Sequence, residues 1–376
     1  DTILAESNKL SKEIGNLFKS GQTEDANKLK EQTTELKSSS KELQDLLSEY
    51  EASIQNILYQ IPNVPNELVK AGKDENDNEI VFSSGDASPK KGYLPHWEVA
   101  KKYDLIDFEL GVKITGAGFP VYKGKGARLQ RALIQYFLDK NTAADYQEII
   151  PPFVVNEASG YGTGQLPDKE GQMYYVKEDD LYLIPTSEVP VTNIYRDVIL
   201  RDEELPLKHT AYSPCFRREA GSYGKDVRGL NRLHQFEKVE IVRIEKPENS
   251  MAALDEMVEH VKGLLEELDL PYRILRLCAG DTGFASSITY DFEVFSQAQE
   301  KWLEVSSVSN FRDFQANRLK LRYKAGNASQ LLHTLNGSAL ALPRILASIL
   351  ENYQQEDGSI RIPKVLVPYT GFSEIK

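Results

Sequence analysis

The segment Cys215-Phe216-Arg217-Arg218-Glu219-Ala220-Gly221, followed by Arg232-Leu233-His234-Gln235-Phe236-Glu237-Lys238-Val239-Glu240, gathers arginines, carboxylates and an aromatic ring into one short stretch. A guanidinium is a planar fork that stays charged at any working pH and matches phosphate oxygens in pairs. A carboxylate and an aromatic ring alongside suit an amine-bearing purine, so the set describes a nucleotide site. A distant run, Asn336-Gly337-Ser338-Ala339-Leu340-Ala341-Leu342-Pro343-Arg344, supplies one more arginine. If Pro214–Arg217 finishes one strand and Leu233–Ile241 forms its antiparallel return, Arg217, Glu219, Arg232 and Phe236 turn toward one face. Ala220–Gly229, with Arg228 among its charges, is then the loop between them. A surface hairpin laced by salt bridges explains single Arg–Glu pairs but not the whole string.

Three further segments carry candidate chemistry. Thr186-Ser187-Glu188 follows the strand-like Leu181–Pro185 and reads either as a turn or helix cap or as an ammonium site, since three N–H donors need three acceptors. Trp302–Asn310 puts Glu304 beside Ser306 and Ser307, hard oxygen ligands of the kind Mg²⁺ accepts. Glu240 sits among Val239, Ile241 and Val242, where an acid would ordinarily be the solvent-facing member of an alternating strand. Thr289–Glu293 reads as an alternating core strand. Gly160-Tyr161-Gly162-Thr163-Gly164 and Gly111–Gly126 are glycine-rich but lack the lysine of a P-loop and the strand–turn–helix pattern of a dinucleotide fold.

The elements that must position these residues are legible in part. Gly126–Lys140 has apolar residues at Leu129, Leu133, Ile134, Phe137 and Leu138, the spacing of an amphipathic helix. Tyr146–Val154 then reads as a strand ending in prolines. Asn336–Arg344 reads as a helix-like Ala/Leu run ending in Pro343-Arg344.

Helix, strand and proline, then the arginine hairpin, then the second arginine run resemble motifs 1, 2 and 3 of class II aminoacyl-tRNA synthetases, in that order. The wording around them is similar to that of bacterial-type seryl-tRNA synthetases. The resemblance implies an α+β fold: a mainly antiparallel sheet flanked by helices, preceded by an N-terminal antiparallel coiled-coil arm. It implies ATP contacts from Arg217, Arg218, Glu219, Leu233, His234, Gln235 and Phe236, with Glu219 on the adenine amine and Phe236 stacked on the ring. Glu304, Val305, Ser306 and Ser307 complete the nucleotide site, with Glu304 and Ser307 holding Mg²⁺. Arg217, Arg232 and Arg344 are the implied catalytic cations, on the α-phosphate, a further phosphate and the γ-phosphate. The implied serine contacts are Thr186, Ser187, Glu188, Arg217, Glu240, Asn336 and Ser338. Where many relatives have Cys between the serines, this chain has Val308, read as a neutral core change. The implied partners are L-serine, ATP and serine tRNA in a homodimer, with selenocysteine tRNA left open as a second. Two alternatives keep the same fold: a ligase loading a small amino acid onto a carrier protein, and a non-catalytic binding protein.

The first sixty residues differ from the rest. Leu29, Leu36, Leu43, Tyr50 and Ile57 share one heptad register, and Thr33, Ser40, Leu47 and Ile54 fill the other. Ile3, Leu10, Ile14 and Leu17 repeat the period, and Lys19–Asp25 breaks it, which predicts two helices folded back on each other. The second, near 35 residues, would reach roughly 50 Å. An oligomerisation or spacer hairpin satisfies this pattern as well as a tRNA-binding arm; the resemblance favours the arm. Residues 61–92, with Pro62, Pro65 and a polar stretch from Lys70 to Lys91, read as linker, and 93–376 as the catalytic domain. The chain opens without Met inside what reads as a helix, which predicts residues upstream.

With 376 residues, the chain has room for a large domain and an appendage. A net charge of -12 provides no overall basic field for nucleic acid, though a local basic surface remains open. Two distant cysteines and five scattered histidines offer neither a disulfide framework nor a zinc set. No apolar run approaches the roughly 18 residues of a membrane span, and no signal or transit pattern opens the chain. These features point to a cytoplasmic protein.

Overall fold

The computed structural model describes residues 2–168, 171–219, 228–326 and 328–376. It divides into two compact units, Asp1–Ile61 and Pro62–Lys376. In the first, helices α1 (Thr2–Lys19) and α2 (Thr23–Leu58) pack on each other across the turn at Ser20–Gln22. On α2 the residues shielded by α1 are Ala26, Leu29, Thr33, Leu36 and Ser40, the expected seam at heptad spacing. Farther along, Leu43, Leu47, Tyr50, Ile54 and Ile57 are exposed.

The second unit is built on an eight-stranded sheet: β1 (Glu79–Ser84), β2 (Gln147–Glu148), β3 (Leu207–Phe216), β4 (Gln235–Glu245), β5 (Tyr272–Arg276), β6 (Ile288–Ser296), β7 (Lys301–Arg312) and β8 (His333–Ala341). Their spatial order is β1-β5-β6-β7-β8-β4-β3-β2. Every pairing is antiparallel except that of the short β2 with β3.

Side-chain alternation divides each central strand between two faces. Val239 and Ile241 of β4, Phe292 and Val294 of β6, Val308 of β7, and Leu335 and Ala339 of β8 enter one buried apolar cluster. Leu129, Leu133 and Phe137 from α4 (Gly124–Ala143) join them, as do Leu254, Met257 and Val261 from α6 (Ser250–Glu267) and Ile345, Leu346 and Ile349 from α8 (Leu342–Asn352). The remaining labelled helices are α3 (His96–Lys102), α5 (Glu188–Asn193) and α7 (Phe314–Leu319). Smaller apolar clusters lie elsewhere, one joining Val191 of α5 to Ala211 and Val242.

Several expectations change. The stretch from Lys70 to Lys91 is not merely linker: it contains β1, an edge strand paired with β5 and fixed by Glu79 to Arg276 at 2.6 Å. Asn336–Ala341 is a strand, because β4 and β7 both satisfy its backbone. Only from Leu342 does the chain become helical, with Pro343 in the first turn, where a missing N–H costs nothing. Arg344 therefore stands near the start of a helix rather than at the end of one. The strand expected at Tyr146–Val154 shrinks to Gln147–Glu148, with a separate strand at Val154–Asn156 beyond the prolines. The glycine run at 160–164 closes a short helix, Glu157–Thr163, with Gly164 left-handed at φ 83°. No helix among the described residues is long and apolar enough to cross a membrane.

Candidate active site

The polar face of the central strands forms the floor of a cleft of about 750 Å³. On β4, Phe236, Lys238 and Glu240 recur at every second position and line it, while Val239 and Ile241 point into the core. On β8, Asn336 and Ser338 do the same, and Gly337 lies between them on the core side. A Cβ at Gly337 would stand 3.0 Å from a methyl of Val308, so glycine is what lets β7 and β8 pack at this point. Val308 is fully buried, in keeping with its reading as a core position.

One end of the cleft is aromatic and cationic. Arg217 lies over the Phe236 ring, 5.2 Å from its centroid, and its Nε donates to the Pro185 carbonyl at 3.4 Å. Glu219 and Arg232 pair at 2.6 Å across the mouth of the hairpin. From the far side Arg344 reaches in, its Nε donating to the Asn231 carbonyl at 3.1 Å and its Nη1 to the Glu304 carbonyl at 2.7 Å. Three guanidinium groups thus border one cavity.

The other end is acidic. Glu240 accepts from Thr186 Oγ1 at 2.8 Å and pairs with Lys238 Nζ at 2.5 Å. Glu188 is buried at the first turn of α5, and its Oε1 accepts from Gln315 Nε2 at 2.7 Å. Burial and the neighbouring Glu240 charge push the Glu188 carboxyl up to about 7, against a smaller opposing effect from Gln315. Gln315, on α7, is itself fixed, donating to the Thr163 carbonyl and accepting from Thr334 Oγ1. A buried carboxylate pair with a hydroxyl and one lysine has capacity for an incoming ammonium group.

Between the two ends lie Glu304, Val305, Ser306 and Ser307 of β7. Ser307 bonds Asp291, whose Oδ1 is buried without a partner; burial and the nearby Glu304 push Asp291 well above the carboxylate range. The Glu304 carboxylate and the Ser307 hydroxyl, both lining the cleft, are donors suited to a hard cation, with Asp291 buried behind Ser307. Among the described residues no cluster of three or more His, Cys, Asp or Glu could hold a metal by itself. The donors fit a Mg²⁺ ion that carries most of its ligands as water and phosphate oxygens.

Of the residues expected in the site, Thr186, Glu188, Arg217, Glu219, Arg232, Leu233, Phe236, Glu240, Glu304, Val305, Ser306, Ser307, Asn336, Ser338 and Arg344 line this one cavity. Four lie off it. Ser187 is fully buried, its hydroxyl directed at the Ala211 carbonyl. The Arg218 guanidinium lies over the Tyr174 ring. His234 stacks on Phe119 at 5.5 Å, with its Nδ1 3.0 Å from the Arg217 carbonyl. Gln235 is paired in register with Phe216. His234 and Gln235 brace the strand ends that carry Arg217 and Phe236. Most of the expected hairpin loop, residues 220–227, lies outside the described residues. Sequence reasoning missed Lys238 and Gln315. Lys238 was findable, being on the same alternating face as Phe236 and Glu240; Gln315 comes from a helix more than a hundred residues from Glu188 and leaves no local signal.

Residues 174–353 match the class II core domain of tRNA synthetases (G, H, P, S and T), and residues 1–65 match the seryl-tRNA synthetase N-terminal domain. The serine–tRNA ligase of Salinibacter ruber is 51% identical over 99% of this chain and 88% of its own length. That of Chlorobaculum parvum is 47% identical over 100% and 89%. Among solved structures, the Pyrococcus horikoshii seryl-tRNA synthetase complexed with ATP superposes with a TM-score of 0.90 at 35% identity, covering 100% of this chain and 88% of that one. With both units matched by family models and half its residues shared with a relative along nearly its whole length, the chain belongs to the seryl-tRNA synthetase family.

Proposed function

We propose that the protein activates L-serine with ATP and transfers it to serine tRNA. The observation that carries this reading is the polarity of the cleft: three arginines and an aromatic ring at one end, two buried carboxylates with hydroxyls at the other. Charge complementarity matches a triphosphate to the first end and an amino-acid ammonium group to the second. Adenine would stack on Phe236 with its amine toward Glu219; Arg217 would meet the α-phosphate, Arg344 the γ-phosphate and Arg232 a further phosphate oxygen. The serine ammonium would lie on Glu188 and Thr186, and its hydroxyl near Glu240, Asn336 and Ser338.

The chemistry then needs no protein nucleophile. A serine carboxylate oxygen attacks the α-phosphorus, the P–O bond to the β-phosphate breaks, and pyrophosphate leaves with seryl-adenylate bound. The terminal ribose hydroxyl of the tRNA next attacks the carbonyl carbon, AMP departs as the leaving group, and the hydroxyl proton passes to solvent or phosphate. Positioning and fixed charge supply the rate: Arg217 and Arg344 are held before substrate arrives, by the Pro185, Asn231 and Glu304 carbonyls. Glu304 and Ser307, with Asp291 behind them, would hold Mg²⁺, which when bound neutralises phosphate charge.

The arm clasping tRNA, homodimer formation and a cytoplasmic location belong to the same reading. The test is direct: purified protein, serine tRNA, ATP, Mg²⁺ and labelled serine should accumulate labelled seryl-tRNA. Adenylate without transfer to tRNA would restrict the function to activation.

A further inference from the structure

Behind the cleft lies a buried histidine–glutamate pair that takes no part in the chemistry above. The side chains of His96, first residue of α3, and Glu351, near the end of α8, are both fully shielded from solvent. The Glu351 carboxylate accepts from the His96 backbone N–H at 2.8 Å, from its ring Nδ1 at 2.7 Å, from Gln299 Nε2 at 2.8 Å, and from the Ser296 hydroxyl. Burial alone would raise this carboxyl, but the bonds from His96 and Ser296 outweigh it and hold it below its ordinary range. The other ring nitrogen, Nε2, accepts the Leu230 backbone N–H at 2.8 Å. These partners assign the tautomer: the proton is on Nδ1, facing Glu351, and the lone pair on Nε2 faces the chain.

What that lone pair holds is the returning arm of the arginine hairpin. Gly229, at φ 68°, approaches so closely that a Cβ there would stand 2.2 Å from Nε2. The next two residues are Leu230 and Asn231. Asn231 Nδ2 donates to Gln299 Oε1 at 3.0 Å, returning to the same network, and its carbonyl accepts from Arg344 Nε. Arg232 follows at once. The first turn of α3 also grips Arg228, through an ion pair with Glu98 at 3.1 Å and the Trp97 ring at 4.8 Å.

We propose that His96, held by Glu351, is a positioning residue for ATP: it fixes Leu230 and Asn231 so that the Asn231 carbonyl orients Arg344 and Arg232 enters the cleft. This rests on reading the cleft as an ATP site. A buried pair serving stability alone would have no reason to spend its second ring nitrogen on a substrate loop, and the two ring nitrogens can be tested apart. In His96→Gln the side-chain oxygen reaches the Nε2 position and can still accept from Leu230. In His96→Asn the polar atoms stop at the Nδ1 position, keeping Glu351 but leaving the Leu230 N–H unpaired.

Both variants and the parent protein would be compared by melting temperature and by ATP–pyrophosphate exchange, varying ATP and serine separately. An unpaired buried N–H at the loop should raise the ATP KM of His96→Asn by about tenfold, with its serine KM within about twofold of the parent. His96→Gln should bring the ATP KM back to within about threefold of the parent, whichever variant melts lower. Equal ATP KM in the two variants, or ATP and serine KM rising together with lost melting temperature, would overturn the proposal. If the parent protein shows no exchange, the enzymatic reading fails on its own. Calorimetric binding of Mg²⁺–ATP to the same three proteins then decides: weaker binding by His96→Asn than by His96→Gln supports positioning, and equal or no binding refutes it.

Discussion

Arg344 is bound twice to backbone carbonyls and lies 3.6 Å from the Glu304 carboxylate, so its guanidinium is aimed before any phosphate arrives. Arg344→Ala should lower the exchange rate about a hundredfold or more while leaving the melting temperature nearly unchanged, the loss expected for one preorganised charge; retained exchange would remove Arg344 from the phosphates. Glu188 supplies a different test. Its carboxyl is raised to about 7, so the free protein holds a proton there at acidic pH, and an ammonium ligand must displace it. Serine KM should therefore fall as pH rises from 6 toward 8, by up to roughly tenfold per unit below the raised value, and then level off. Glu188→Gln should abolish that dependence; a pH-independent parent serine KM would mean the ammonium sits elsewhere. Arg217, Glu219, Arg232 and Glu240 were readable in sequence because one hairpin gathers them within a short stretch. Gln315, Asp291 and the His96–Glu351 pair were not, since their partners are remote in sequence or unremarkable without a fold.

The same division holds for elements. The arm's heptads and the amphipathic helix α4 were legible because each carries its own period. Asn336–Ala341 was not: small apolar residues suit helix and strand alike, and pairing with β4 on one side and β7 on the other decides the matter. β1 was hidden in a polar stretch because a sheet edge needs few buried residues. Register between β7 and β8 rests on Gly337 against Val308. Gly337→Val should crowd that contact and cost about 1–3 kcal/mol in thermal unfolding, whereas Val308→Cys should cost about 1 kcal/mol or less. Equal cost in both would mean the strands are not packed through this pair.

At the scale of the molecule, the two units can be tested apart. Each matches its own family model, the first a seryl-tRNA synthetase N-terminal domain and the second a class II core. Deleting residues 1–60 should leave serine-dependent exchange intact while lowering kcat/KM for serine tRNA at least about tenfold; unchanged charging would return the helical hairpin to a spacer role. The net charge of -12 makes this informative, since no general electrostatic attraction would replace the lost contacts. If serine binds as proposed, amino-acid choice rests on the acidic end of the cleft, where a substrate lacking a hydroxyl would forgo its contacts with Asn336 and Ser338 beside Glu240. The most direct test of the whole account is amino-acid-dependent ATP–pyrophosphate exchange with serine, threonine, alanine and glycine compared side by side. Exchange strongest with serine, with alanine and glycine far behind and threonine the nearest competitor, is the predicted result. Preference for alanine or glycine would contradict the serine site and favour loading of a carrier protein, and no exchange with any of the four in folded protein with Mg²⁺ would contradict the enzyme.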